Sequence, residues 1–289
     1  MRSTPSFPFR VLTHNIRYAT SSPFRGERPW AERRQLMLNE LQYNTRASID
    51  AFICLQEVLH NQLVDLLEGL NPGVDPEWAY IGVGRDDGHQ AGEYAPILYR
   101  PSAWTLQRWE TVWLSETPTK PSKSWDAASI RIVTIGLFTS LRSGNTVLAM
   151  NTHLDDQGSR ARLEAARIIR FKIQEYQDGQ LGGLISGTFL AGDLNSEEYQ
   201  EAYSNLTGPG DMVDTYKMVE PCKQYGNVNT FTGFGYEKEP SKRIDYVLLA
   251  PGGNQTWQVD GYSVLANRFD DGVMNSDHRA VVADLALRG

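Results

Sequence analysis

Short apolar runs alternate with helical repeats in the first quarter of the chain. An apolar run over residues 8–13 predicts a strand, and a second run over 51–55 predicts a short, buried strand. Between them, residues 30–46 place apolar side chains at helical spacing among good helix formers, which predicts a helix. Residues 59–70 predict a second helix, because their apolar positions recur at helical spacing and Asn-Pro-Gly follows as a stop signal.

The rest of the chain is richer in strands. Between residues 78 and 141, alternating or aromatic-rich runs divided by Gly, Pro and Ser predict antiparallel strands. A turn at 142–145 predicts a hairpin with a return strand over 145–154, and a helix is predicted over 159–176 after a Ser cap. The remaining strands are predicted at 187–195, 243–250, 257–266 and 280–288.

These elements predict an α/β fold, a four-layer sandwich in which two packed, mixed β-sheets are flanked by helices. No internal repeat, low-complexity tract or long linker interrupts the sequence, so we expect a single domain over residues 1–289. A chain of 289 residues can bury a sizeable core without disulfides, and its two cysteines are too few for a disulfide scaffold.

Composition and charge narrow the classes of function. The chain carries 28 basic and 35 acidic residues, a net charge of −7, which argues against affinity that rests on many phosphate contacts. Net charge describes only the average surface, so nucleic acid stays open as a partner. No apolar run is long enough to span a membrane and no secretory signal is visible, which favours an intracellular, cytoplasmic protein.

Polar residues stand at the ends of the predicted strands. They are Asn15, Glu57, His153, Asp193, Asn195, Asp245, Asp277 and His278. Each one alone has an ordinary structural explanation, as a turn former, a helix cap or a hydrogen-bonded core histidine. Together they supply carboxylates, two histidines and two amides, all expected at strand ends of one domain.

The side-chain chemistry of this set indicates a metal-assisted phosphoester site. Mg²⁺ prefers oxygen ligands and typically takes one or two carboxylates, which Glu57, Asp193 and Asp277 can supply. An Asn side chain offers both an oxygen ligand and an N–H donor to an anionic oxygen. His278, oriented by Asp245, has the arrangement that general base catalysis needs. The sequence has no Cys/His zinc spacing, nucleophile elbow or Walker-A motif.

The motifs, taken in order, resemble those of the endonuclease/exonuclease/phosphatase superfamily. They are HN (14–15), LQEV (55–58), NTHL (151–154), GDLN (192–195), RIDYVLL (243–249) and SDHR (276–279). The resemblance spans residues 9–287, all the motifs fall in family order, and GDLN together with a terminal SDH is the specific signal. The segments ERPWAERR and GRDDGHQAGEYAPILYR also resemble a bacterial and fungal subgroup of metal-dependent hydrolases, most of which lack an assigned substrate.

The resemblance implies a two-sheet α/β sandwich with one site at the sheet edges. It also implies hydrolysis of a phosphoester with Mg²⁺ or Mn²⁺, by in-line attack of water on phosphorus and without a covalent intermediate. Glu57 is implied as the metal-binding carboxylate, helped by Asn15 and by Asp277. His153 stands where the apurinic endonucleases of the superfamily carry Tyr, which argues against a role in DNA repair.

The resemblance assigns the remaining motif residues to the phosphate and the attacking water. Asp193 and Asn195 position the water and the phosphate, and His153 donates a hydrogen bond to a phosphate oxygen. His278, held by Asp245, is either the general base or a stabiliser of the phosphate oxygens.

Further side chains are candidates for substrate contacts. Arg131 is expected either to contact a phosphate or leaving group or to form an ion pair on a strand. Aromatic loop residues are expected to form a stacking wall or to pack at the rim: Tyr18, Phe24, Trp125, Phe231, Phe234 and Phe269. Of these we favour Trp125 and Phe269 as substrate-binding residues. Gln62, one turn into the helix after Glu57, is expected to brace the site.

The sequence therefore predicts a metal-dependent phosphodiesterase that acts on a small phosphoester. A phosphomonoesterase of the sugar or inositol phosphate type and a nuclease acting on DNA or RNA are the alternatives. A glycosidase that uses Glu57 and Asp193 as a carboxylate pair would leave the Asp-His pair and both Asn residues unexplained. A binding scaffold without activity would have had to retain every expected catalytic residue.

Overall fold

Two mixed β-sheets form the centre of the structure, a computed structural model that describes residues 7–235, 240–250 and 256–288. The seven-stranded sheet contains, in spatial order, β10 (Gln224–Gly226), β12 (Trp257–Val264), β13 (Val281–Leu287), β1 (Phe7–Asn15), β2 (Phe52–Gln56), β4 (Ile97–Tyr99) and β3 (Ala79–Ile81). The six-stranded sheet contains β5 (Trp104–Trp113), β6 (Ile132–Ser140), β7 (Thr146–His153), β8 (Ile185–Asp193), β11 (Asp245–Ala250) and β9 (Val213–Asp214).

The α-helices of the described residues are α1 (Trp30–Thr45), α2 (His60–Leu70), α3 (Ser159–Asp178), α4 (Glu201–Leu206) and α5 (Thr215–Met218). Four of them, α1 to α4, cover the outer faces of the two sheets, and the short helix α5 packs against the core between them. Buried side chains of α1 and α2 pack on the seven-stranded sheet, and those of α3 and α4 pack on the six-stranded sheet. The α/β sandwich expected from the sequence is therefore confirmed. No helix in the described part of the chain has both the length and the apolar character needed to cross a membrane.

Aromatic side chains fill the space between the two sheets. The ring of Phe52 on β2 lies 4.6 Å from that of Trp104, 5.1 Å from that of Phe138 and 5.4 Å from that of Phe189. All residues of β2 are buried, because one face of the strand meets this core and the other meets α1 and α2. This is why residues 51–55 form a continuous apolar run rather than an alternating one.

Strand register brings the polar strand ends to one edge. His153 at the end of β7 lies opposite Asp193 at the end of the parallel strand β8. Asp193 in turn lies opposite Asp245, the first residue of the antiparallel strand β11. In the other sheet, Asn15 at the end of β1 lies opposite Gln56 at the end of β2. The amide of Asn15 donates to Asp193 at 3.1 Å, so the two sheet edges meet at this point.

Differences from the predicted elements are confined to short elements and one helix end. The short helices α4 and α5 and the short strands β9 and β10 carry too few residues for a periodic pattern, and they were not predicted. The expected Ser cap of α3 is wrong, since Ser159 is already helical and Gly158 precedes it without a side-chain cap. Instead, Asp126 from a distant loop accepts the backbone N–H of Ala161 at 2.7 Å.

Gly192, next to Asp193, offers a test of this strand register. Its φ of 140° is rarely adopted by L-residues, and an added Cβ would clash with the backbone of Thr152 on the neighbouring strand. We expect Gly192→Ala to lower the free energy of unfolding by more than about 2 kcal/mol, because it adds steric clash to backbone strain. Urea denaturation measures the change.

Gly183 provides the matched control for this substitution. An added Cβ at Gly183 meets no atom within 4 Å. Gly183→Ala should therefore change the free energy of unfolding by no more than about 0.5 kcal/mol. An equal effect of the two substitutions would contradict the close approach of β7 and β8 at Gly192.

Candidate functional site

A polar cleft of about 860 Å³ opens where the two sheet edges meet. The sequence-predicted residues that line it are Glu57, Arg131, His153, Asp193, Asn195, Asp277 and His278. Asn15 and Asp245 are fully buried, and both hydrogen-bond to side chains of the cleft. The fold thus brings the whole set of strand-end residues together around one opening.

Glu57 is held in place at the seven-stranded side of the cleft. Its Oε1 accepts a hydrogen bond from the Asn15 amide at 3.0 Å, and its Oε2 accepts the backbone N–H of Tyr18 at 3.1 Å. The Arg17 guanidinium lies 3.6 Å from the same Oε2. Glu57 has a φ of 58°, a left-handed conformation that costs a non-glycine residue free energy and is often found at functional sites.

Asn15 supports two carboxylates of the site rather than lining the cleft. Its side-chain nitrogen donates to Glu57 and to Asp193, and its side-chain oxygen accepts the backbone N–H of Arg17 at 3.0 Å. With the side chain fully buried and both its ends hydrogen-bonded, the structure places Asn15 behind the carboxylates that face the cleft. The sequence had placed Asn15 among the metal ligands.

His278 lies between two carboxylates. Its Nδ1 is 2.9 Å from an Asp245 oxygen, and its Nε2 is 3.7 Å from an Asp193 oxygen. Burial alone would lower the pKa of His278, but Asp245 and Asp193 together raise it well above its usual value. Burial and the Asp245 carboxylate raise the pKa of Asp193 to about 7. The trio therefore holds a charged imidazole beside a carboxylate that binds a proton near neutral pH.

His153 also lies near Asp193, but it has a different electrostatic environment from that of His278. A guanidinium nitrogen of Arg131 is 2.9 Å from its Nδ1, while its Nε2 faces Asn195 at 3.1 Å and Asp193 at 3.5 Å. Burial first, and then the positive charge of Arg131, lower the pKa of His153 well below its usual value. The two histidines of the cleft therefore differ in charge because their neighbours differ.

Glu57 and Asp277 are two carboxylates of the cleft wall that could hold a divalent metal, as the sequence predicts. Both line the cleft, and burial together with the nearby Glu57 charge raises the pKa of Asp277. Two neighbouring carboxylates that are largely shielded from water repel each other unless a proton or a cation lies close by, and hard cations prefer such oxygen donors. The donor set therefore fits Mg²⁺ or Mn²⁺.

A second group of donor atoms is close enough to hold an ion. Single donor atoms of Asp193, Asp245 and His278 lie within 4.8 Å of one another. Here, however, His278 and Asp245 already form a direct hydrogen bond, so a proton occupies the position between them.

Several charged residues of the cleft wall were missed by sequence reasoning: Arg17, Arg85, Glu93 and Arg162. Arg85 donates two hydrogen bonds of 2.8 Å to Glu93, and Glu93 lies 3.7 Å from Nδ1 of His153. The sequence held one signal, since Glu93 stands just before the apolar run of β4 as Arg131 stands just before β6. A lone charge beside a strand carries no information about distance, so its pairing was not predictable.

The expected aromatic wall is only partly formed. Tyr18, Phe24 and Phe231 line the cleft, and the Phe231 ring packs 5.0 Å from the ring of His278. Phe234 is buried and borders a separate cavity. Trp125 and Phe269, the two aromatics favoured from the sequence as substrate-binding residues, do not line the cleft.

Local backbone structure explains where Trp125 and Phe269 lie. Trp125 precedes Asp126, which is bound to the start of α3, so its ring lies in a groove along that helix beside Ile168. Phe269 lies in the loop after β12, which turns back through a hydrogen bond from the Gly272 N–H to the Phe269 carbonyl. That turn leaves the Phe269 side chain half exposed in a groove beside α1.

Gln62 braces the loop that follows β1, as its position in the sequence predicts. Its side-chain oxygen accepts the backbone N–H of Ala19 at 2.9 Å, and its side-chain nitrogen donates to the carbonyl of Arg17 at 3.1 Å. The loop carries Arg17 and the N–H of Tyr18, which contact Glu57. Gln62 therefore acts on the site through the backbone, without facing the cleft.

Comparison with solved structures finds close overall similarity to bacterial proteins. An endonuclease/exonuclease/phosphatase from Bacteroides vulgatus shares 32% identity with a TM-score of 0.83, and the match covers 97% of this chain and 99% of that one. A mannosyl-6-phosphatase from Bacteroides thetaiotaomicron shares 31% identity with a TM-score of 0.82, covering 96% and 99%. D. rerio TDP2, solved with a single-strand DNA product, shares the fold at 16% identity and a TM-score of 0.65, covering 96% and 98%.

The family assignment rests on the sequence as well as on the fold. No curated protein sequence matches the chain significantly. The model of the Endonuclease/Exonuclease/phosphatase family matches residues 12–278, which include the cleft residues described above. The chain belongs to the endonuclease/exonuclease/phosphatase family.

Proposed function

We propose that this chain is a divalent-metal-dependent hydrolase of small phosphoesters. The observation that carries the proposal is the arrangement of His278 between Asp245 and Asp193, in the same cleft as Glu57 and Asp277. One side of the cleft offers oxygen ligands to a cation, and the other offers groups that hold and move protons. Members of this family are hydrolases that act on phosphoesters.

Glu57 and Asp277 would hold Mg²⁺ or Mn²⁺, which when bound stabilises negative charge on the phosphoryl group. Asn15 fixes the Glu57 carboxylate by hydrogen bonding to its Oε1, and Arg17 balances part of the charge of the carboxylates. In this proposal Asn15 acts through Glu57 and is not itself a ligand.

Asp193 and His278 are proposed to manage the proton of the attacking water. Asp193, whose pKa of about 7 suits a base at neutral pH, accepts that proton as water attacks phosphorus. The His278 imidazolium, held by Asp245, offsets negative charge on the phosphoryl oxygens. Of the two roles that the sequence left open for His278, the raised pKa favours charge stabilisation over general base.

We propose that phosphomonoesters of a sugar-like alcohol are preferred as substrates. The cleft wall beyond His153 is formed by polar and charged side chains, among them Asp156, Gln157 and Gln200, which suit a hydroxylated leaving group. The 31% identical mannosyl-6-phosphatase supports the same class. Phosphodiesters, favoured from the sequence, are the second candidate, because Tyr18, Phe24 and Phe231 offer a wall for a second organic group.

Metal dependence tests the first part of the proposal. Hydrolysis should be abolished by EDTA and restored by Mg²⁺ or Mn²⁺. Glu57→Gln should weaken Mg²⁺ binding by at least about 10-fold in calorimetric titration, because it removes a carboxylate from the site. Glu68→Gln, an exposed change on α2, is the control and should bind Mg²⁺ like the native chain. Full turnover in chelator would refute the assignment.

Substitution of the proton-handling residues tests the second part. His278→Ala and Asp193→Asn should each lower kcat by at least about 100-fold, since each removes a group that acts in the transition state. Asp245→Asn should cost less than His278→Ala, because it disturbs the imidazole without removing it. His89→Ala, at an exposed position, should keep native kcat, and circular dichroism verifies folding. A native kcat for His278→Ala would disprove its role.

Substrate class is tested by comparing kcat/KM for hexose 6-phosphates, bis(p-nitrophenyl) phosphate and duplex DNA at physiological salt. We expect the hexose monoesters to be hydrolysed most efficiently, because the cleft wall is polar. We expect the duplex to be hydrolysed least efficiently, because the chain carries a net charge of −7 and binds a polyanion weakly. His278→Ala, prepared in parallel, reveals any contaminating phosphatase. Turnover of the diester alone would establish the second candidate, and turnover of the duplex alone would establish a nuclease.

A further inference from the structure

Arg131 contacts the nitrogen of His153 that faces away from Asp193. Arg131 stands just before β6, is only 7% exposed, and places one guanidinium nitrogen 2.9 Å from Nδ1 of His153. Another guanidinium nitrogen donates to Asp156 at 2.8 Å, and the carboxylate of Asp155 lies 3.6 Å from Nε of Arg131. The guanidinium is therefore fixed on one side by carboxylates and on the other by the imidazole.

The contact between Arg131 and His153 determines where the imidazole carries its proton. A guanidinium has only donors and does not lose its proton in proteins, so Nδ1 of His153 must be the acceptor. A neutral imidazole with an accepting Nδ1 carries its proton on Nε2. A doubly protonated ring would present a donor and a positive charge to Arg131, which disfavours that form.

The proton on Nε2 is left available to a substrate. The Asn195 side-chain nitrogen lies 3.1 Å from Nε2 and donates to the carbonyl of Leu154. An amide nitrogen is a donor only, so it cannot accept the Nε2 proton, and it competes with Arg131 for the lone pair of the ring. The Arg131 guanidinium is charged and lies closer to the ring, so its contact decides which nitrogen accepts. Among the described residues, the nearest carboxylate oxygen is that of Asp193 at 3.5 Å, which is long for a hydrogen bond. Among the described residues, a proton on Nε2 therefore has no acceptor at ordinary hydrogen-bonding distance, and it remains available to a substrate.

We infer that Arg131 is a positioning residue that fixes His153 as a neutral imidazole protonated on Nε2. His153 then serves as a constant hydrogen-bond donor to a phosphoryl oxygen and does not transfer a proton. The hydrogen bond from His153 to a phosphoryl oxygen rests on the proposed function. The position of the proton on the His153 ring does not. The role inferred for His153 therefore differs from that of His278, whose ring faces the two carboxylates Asp193 and Asp245.

Glu93 supplies the contrast that makes the inference testable. Its Oε2 lies 3.7 Å from Nδ1 of His153 and 4.0 Å from the Arg131 guanidinium, and Arg85 holds the same carboxylate. Without the guanidinium, Glu93 becomes the nearest acceptor for a proton on Nδ1. The ring of His153 would then face Glu93 on one side and Asp193 on the other, and two carboxylates favour an imidazolium.

The test is ¹⁵N nuclear magnetic resonance of the histidine rings, recorded in EDTA and again with Mg²⁺. The His153 signals are those absent from the His153→Asn variant. Between about pH 5 and about pH 8 we expect Nδ1 to be unprotonated and Nε2 protonated in the native chain. A native ring that is protonated on Nδ1 in that range overturns the inference.

Variants of Arg131 show whether the guanidinium is the cause. Arg131→Met should make the His153 ring doubly protonated at the acid end of the range, and adding Glu93→Gln should reverse this. Arg131→Lys retains a donor and should keep the native tautomer. Arg167→Met, at a mostly exposed position on α3, is the control and should leave the spectrum unchanged. An unaltered His153 spectrum in Arg131→Met contradicts the proposal. If that variant fails to fold, the spectra of the native chain and of Arg131→Lys test the tautomer instead.

Kinetics separate this inference from the proposed function. With the best phosphoester, Arg131→Met should lower kcat by at least about 10-fold while Arg131→Lys retains most of it, since a lost oriented donor costs about that factor or more. An active phosphoesterase with the wrong His153 tautomer would refute only the role of Arg131. The expected tautomer in a chain that hydrolyses no phosphoester would refute only the proposed function.

Discussion

The cleft depends on buried charges that helix α1 places beneath it. Arg33, fully buried, donates hydrogen bonds to the backbone carbonyls of Arg28, Ile16, Arg17 and Asn275, at distances between 2.7 and 3.1 Å. Glu40, about two turns further along the same face of the helix, lies 2.7 Å from Nδ1 of His14 and accepts a hydrogen bond from the Asn275 amide. The other nitrogen of His14 contacts the carbonyl of His278 at 3.1 Å. Because unpaired charges are costly to bury, these pairings fix the loop after β1 and the loop before β13 together.

These buried pairings stabilise a cleft that contains strained backbone and crowded carboxylates. Arg17, Glu57 and Asn195 all adopt left-handed backbone conformations, which cost free energy that packing elsewhere must offset. The carboxylates are also crowded, and burial raises the pKa of both Asp193 and Asp277. Neutral side chains at these positions would relieve that repulsion. The structure instead retains an acidic site that gains stability when a cation or a proton arrives, which is the condition that metal-assisted phosphoester chemistry requires.

The sequence predicted the residues of the site better than their partners. Polar residues at the ends of apolar strands are visible in one dimension, and strand register then brings His153, Asp193 and Asp245 into one row. What a pattern cannot supply is the direction of a side chain in a loop. Trp125 therefore lies along α3 and Phe269 along α1, although both were expected at the substrate. Asn15 shows the same limit at a strand end, since only its buried contacts reveal that it holds Glu57 and Asp193.

The electrostatics of the cleft wall, together with the net charge of −7, support the proposal that small phosphoesters suit this site. Each arginine that faces the cleft is matched by a carboxylate: Arg17 with Glu27, Arg85 with Glu93, Arg131 with Asp156 and Arg162 with Glu201. An arginine that is paired with a carboxylate can still donate hydrogen bonds, but it adds little to the positive electrostatic potential of the cleft. A polynucleotide needs a continuous series of uncompensated cations along its backbone, and among the described residues of the wall these pairs do not form one. A small molecule with one phosphate and many hydroxyl groups needs only local donors and acceptors, which the paired arginines and carboxylates still present.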